Sequence, residues 1–162
     1  MKNLRVTAIL FCAAVLSHNA VLNAQETTET SNIQVFDDWR VACEPEQTCR
    51  MAQTVVQLPE KRLILQAKIF QGEAPTLLLT FPLGILLSTG WQYQVDGGNA
   101  TLLPFEICNI DGCHVGVKLT PNLVKRLKRG NSLNIIFRDA GNAKVEPVIS
   151  LTGFTKAYEA LK

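Results

Sequence analysis

Leu63-Ile64-Leu65-Gln66-Ala67-Lys68-Ile69-Phe70 is the stretch on which the fold turns. Leu63, Leu65, Ala67 and Ile69 alternate with Ile64, Gln66, Lys68 and Phe70. Successive side chains of a strand point to opposite faces. A period of two therefore puts one row on a core and the other near solvent. The same pattern recurs in Trp39-Arg40-Val41-Ala42-Cys43, Trp91-Gln92-Tyr93-Gln94-Val95, His114 to Leu119 and Leu133 to Arg138. Met51 to Leu58, Thr76 to Phe81, Ala100 to Phe105 and Pro147 to Leu151 are further strand candidates.

These segments amount to about nine short strands, which predicts an antiparallel sandwich or barrel. Turn formers separate them: Pro59-Glu60, Gln71-Gly72, Asp96-Gly97-Gly98-Asn99 and Asp139-Ala140-Gly141-Asn142. Gly97-Gly98 between two strand candidates reads as a hairpin. No internal repeat and no domain boundary interrupts the pattern.

Two short helices are expected. Thr120 caps one that Pro121 opens and Gly130 closes. Leu123, Val124 and Leu127 share its inner face. The second runs from about Gly153 to Leu161, where Phe154, Ala157, Tyr158 and Leu161 follow helical spacing. It is expected to dock on the sandwich and cover an edge or an open end.

Residues 1–24 read as a cleaved signal peptide. Lys2 and Arg5 form a positive start, Val6 to Leu16 an apolar run, and Ala24 a small residue at the cleavage point. The run is well short of the roughly 20 residues that cross a bilayer. Residues 25–32 are polar and aperiodic, a flexible leader. The domain is assigned to residues 33–162. No transmembrane segment is expected after cleavage, since the apolar stretch Leu77 to Leu87 is broken by Pro82 and Gly84.

The 162-residue chain has 16 cations, 14 acids and a net charge of +2. Both signal cations leave on cleavage and no acid does, so the mature chain is neutral. Even the full chain's +2 is too small to suggest a nucleic-acid binder, and no nucleic-acid partner is expected. The apolar share falls from 47% to roughly 43%, an ordinary globular value.

Export also removes Cys12 and leaves Cys43, Cys49, Cys108 and Cys113. An even number in an oxidising compartment points to disulfides. Three pairings are possible. The turn formers Pro45 and Asp111-Gly112 favour Cys43–Cys49 and Cys108–Cys113. A four-cysteine zinc site is the alternative. Zinc pairs usually have about two to four residues between them. Here the intervals are five and four.

Little points to catalysis. His114 is the one histidine of the mature chain, and no Gly-x-Ser-x-Gly elbow supplies a serine. Asp37-Asp38 are adjacent, so in a strand they face opposite ways and make no acid–base pair. No catalytic residue, metal ligand or cofactor is assigned, and the chain is not expected to be an enzyme. Trp39 and Trp91 are expected in the core, each indole N–H finding a partner.

One charge asymmetry stands out: Lys118, Lys125, Arg126, Lys128 and Arg129. They suit a solvated helix face near the helix's negative end. That solvated face is the favoured reading, and the functional alternative is contact with an anionic surface: lipopolysaccharide, an anionic lipid or a host glycan. Such contact weakens with salt.

An ordered set of segments resembles the invasion-associated locus B (IalB) family of exported bacterial proteins. It comprises Phe36-Asp37-Asp38-Trp39-Arg40-Val41-Ala42-Cys43 with Cys49, Pro82-Leu83-Gly84-Ile85-Leu86-Leu87 with Gly90, and Cys108-Asn109-Ile110-Asp111-Gly112-Cys113. Lys128-Arg129-Gly130 and Ile149-Ser150-Leu151-Thr152-Gly153-Phe154 with Ala157-Tyr158 complete it. The resemblance implies an all-β, immunoglobulin-like antiparallel β-sandwich. It places the chain in the periplasm, outer envelope or secreted fraction of a Gram-negative bacterium. It implies a binding or interaction protein associated with host-cell invasion and supplies no catalytic residues. The expected partner is an unidentified protein or an anionic envelope or host-surface component. A periplasmic structural or accessory role without host contact is the alternative, and an uncharacterised enzyme the third.

Overall fold

The computed structural model describes residues 32–44 and 49–161. The expected signal segment, most of the expected leader and residues 45–48, where a turn is expected around Pro45, lie outside the described residues.

The first sheet holds β1 (Asn32–Phe36), β2 (Trp39–Cys43), β3 (Arg50–Gln57), β4 (Arg62–Phe70) and β5 (Thr76–Phe81), with β8 (Ile107–Asn109) and β9 (Gly112–Lys118). Its order is β1-β2-β3-β4-β5-β9-β8. The second holds β6 (Trp91–Val95), β7 (Thr101–Leu103), β10 (Ser132–Arg138), β11 (Lys144–Val145) and β12 (Val148–Ser150). Its order is β11-β10-β6-β7, with β12 also on β10. All these pairings are antiparallel. The expected all-β sandwich with two short helices, α1 (Pro121–Arg129) and α2 (Phe154–Glu159), is the one observed.

Period-two patterning sets which residues face inward. Leu65, Ala67 and Ile69 of β4 are buried, as are Leu133, Ile135 and Phe137 of β10. The sheets meet at Phe81 of β5, whose ring lies 5.6 Å from Trp91 and 5.2 Å from Phe137. Both tryptophans are buried, and both indoles are satisfied. Trp39 Nε1 donates to Ser150 O at 2.9 Å and Trp91 Nε1 to Pro104 O at 3.1 Å.

One polar contact closes the sandwich along its β3–β12 side. The Gln53 amide donates to Ser150 O at 3.0 Å and accepts from Ser150 N at 2.8 Å. A side-chain amide thus pairs with backbone much as a neighbouring strand would, satisfying groups that β12 leaves unpaired.

Both favoured disulfides form, Cys43–Cys49 and Cys108–Cys113. The second joins directly opposed residues of β8 and β9. All four sulfurs are consumed, which removes the ligands of the zinc alternative.

Some local readings change. Asn32, assigned to the leader, opens β1. Asp37-Asp38 form the two-residue loop of the β1–β2 hairpin, with Asp37 at φ 51°. Gly130 closes α1 at an ordinary φ of −82°. It is required for space: a Cβ there would lie 2.7 Å from a Val95 methyl and 3.0 Å from one of Leu151. Gly153, by contrast, needs its conformational freedom. It starts α2 at φ 82°, and a Cβ would strike the Phe36 carbonyl.

Candidate functional site

The five cations gather around α1. Thr120 Oγ1 accepts the Leu123 N–H at 3.3 Å, and Pro121 sits in the first turn, so the helix starts sharply. Leu123 and Leu127 are buried on its inner face. That rotation leaves Lys125, Arg126 and Arg129 exposed. Arg126, Lys128 and Arg129 fall in the last turn. The C-terminal end of a helix carries roughly half a negative charge. Three formal positive charges outweigh it, so this end of α1 remains positive.

α2 packs against α1, β1 and β2. Phe154 meets Trp39 edge-on at 5.4 Å. Thr155 Oγ1 donates to Lys128 O at 3.2 Å, and Lys128 Nζ donates to Glu159 Oε1 at 2.9 Å. The same ammonium lies 5.3 Å from the centre of the Tyr158 ring.

Between α1, α2 and the segment before β5 lies an open groove of about 620 Å³. Its floor is apolar: Ala74, Pro75, Leu119, Pro121, Val124 and Tyr158. Lys118, Lys125, Lys128 and Arg129 rim it, with Glu73 the acid on its wall. A second groove of about 450 Å³ flanks the other side of α1, lined by Lys125, Arg126 and Arg129 with Asp96 and Asn122. Four of the five cations thus surround one groove. Arg126 belongs to its neighbour.

Asp96 anchors the second groove. Its Oδ1 accepts from Asn131 N at 2.9 Å, Ser132 N at 2.8 Å and Ser132 Oγ at 3.3 Å. The backbone N–H of Asn131, then that of Ser132, hold its carboxyl below the usual aspartate value. Asp96 is thereby committed to tying the β6 turn to the start of β10.

The groove floor was not legible as a site. Its signal was faint: Tyr158 and Val124 are half-buried residues on helix faces read as wholly inward. His114 is held by Thr80 Oγ1 and Asn109 Oδ1, each at 3.1 Å. Neither partner is a carboxylate that would orient it as a general base. Among the described residues, no three His, Cys, Asp or Glu side chains converge as a metal site. No helix among them is long and apolar enough to cross a membrane.

A family model described as "Invasion associated locus B (IalB) protein" matches residues 39–162. Among solved structures, the crystal structure of invasion associated protein b from Bartonella henselae is similar. It is 25% identical, the match covers 81% of this chain and 96% of that one, and the TM-score is 0.73. Comparison with curated proteins gives no match.

Proposed function

The chain belongs to the invasion associated locus B family, and on that premise we propose that it is an exported envelope protein that binds anionic surfaces through α1. The observation that carries this reading is the convergence of Lys118, Lys125, Lys128 and Arg129 on one groove. The mature chain is neutral, so this concentration is local and not a by-product of net charge. Two disulfides support a compartment outside the cytoplasm. The name of the Bartonella henselae protein associates that protein with invasion. For this chain, host contact is the corresponding proposal.

The test combines location with binding. Fractionation of the source bacterium is expected to place the protein in the envelope or at the surface. Recovery solely from soluble periplasm overturns the host-contact role and leaves the accessory one. The purified protein is expected to bind heparin and phosphatidylglycerol vesicles and to ignore phosphatidylcholine vesicles. Binding is expected to collapse as the Debye length shrinks from about 10 Å at 0.1 M salt to about 3 Å at 1 M. Binding indifferent to salt, or to Lys125→Gln with Arg129→Gln, would sink the electrostatic reading.

A further inference from the structure

We propose that the groove between α1 and α2 takes one anionic lipid molecule, its phosphate on the cation rim and its first methylenes on the apolar floor. This rests on the anionic-surface reading and narrows it to a ligand class. A flat row of cations suffices for a sulfated or phosphorylated polymer. This groove offers something such a polymer does not use. Val124 and Tyr158 are half-buried at its bottom, so apolar surface stays wet in the midst of charge. Covering it favours a ligand with a hydrocarbon part beside its anion.

The rim is prepared unevenly. Lys128 is fixed by Glu159 and by the Tyr158 ring. Lys118, Lys125 and Arg129 have no carboxylate partner among the described residues. An incoming phosphate therefore meets three cations without displacing an internal ion pair. The groove's volume of about 620 Å³ lies within the roughly 300–1,000 Å³ of small-ligand sites. That is room for a headgroup and a few methylenes, with the rest of the chain left in the bilayer.

Calorimetric titration of the exported chain separates the sources of phosphate. The probes are lysophosphatidylglycerol below its micellar concentration, lysophosphatidylcholine and glycerol 3-phosphate. The anionic lysolipid is expected to bind at least about tenfold more tightly than either of the others. Val124→Asn is expected to weaken it roughly tenfold, and the milder Val124→Ala about threefold, with heparin retention unchanged. Glycerol 3-phosphate binding as tightly as the lysolipid would reveal a phosphate site only and overturn the lipid assignment. So would folded Val124 variants that bind the lysolipid normally. In both cases heparin binding would leave the broader surface reading standing. Failure of the unaltered chain to bind either heparin or the lysolipid would remove both.

Discussion

Asp96 shows how one exposed side chain can organise a corner of the fold. Its lowered pKa means that the ionised form is favoured on folding. The stabilisation is fully present above the unfolded value of about 3.9 and is lost as pH falls through the lower folded value. Asp96→Asn keeps an acceptor oxygen and tolerates the positive φ of 51° found here. The substitution is expected to lower stability at pH 6 and to flatten the decline between pH 4 and pH 2. Urea unfolding across that range checks both. At Gly153, alanine meets a positive φ and the Phe36 carbonyl at once. Gly153→Ala is expected to cost more than about 1 kcal/mol, read as a lower thermal midpoint. Sequence alone placed Asp96 in a turn and Gly153 at the start of a helix. The reason each is irreplaceable, a carbonyl or two N–H groups from a distant segment, becomes visible only in the folded chain.

Elements were legible in proportion to how much of one face they bury. β4 and β10 bury every second residue, so their alternation maps directly onto structure. β1, β8 and β11 escaped notice. β1 lies at a sheet edge with Ile33 and Val35 turned outward, and β8 and β11 are only three and two residues long. The α1 helix was legible because its signals are local. Thr120→Ala is expected to cost about 1 kcal/mol by removing the acceptor for Leu123 N–H, measured by denaturant unfolding. The β8–β9 hairpin gains from its staple because Cys108 and Cys113 are already in register. Cys108→Ser with Cys113→Ser is expected to lose about 2 kcal/mol, with the β-rich circular dichroism spectrum retained. Collapse of that spectrum would show that the short clip, and not the core, holds the sandwich together.

At the scale of the molecule, the site joins pieces that lie far apart in sequence. Its cations span Lys118 to Arg129, close enough to stand out as a cluster. Its opposite walls come from residues 73–75 and from Tyr158, which only tertiary packing brings together. The same holds for the Gln53–Ser150 bridge between the sheets. Gln53→Leu leaves the Ser150 N–H without its acceptor and is expected to cost about 1–3 kcal/mol, read from the denaturant midpoint. That bridge also bears on timing. Gln53 and Trp39 reach Ser150 across 97 and 111 residues, and contacts of such range are made late and slowly. On the export proposed above, a chain threaded N-terminus first holds β2 and β3 outside long before β12 arrives. Until Ser150 is in place, their inner face has no lid, so the partly assembled chain is the form that most exposes it to wrong partners.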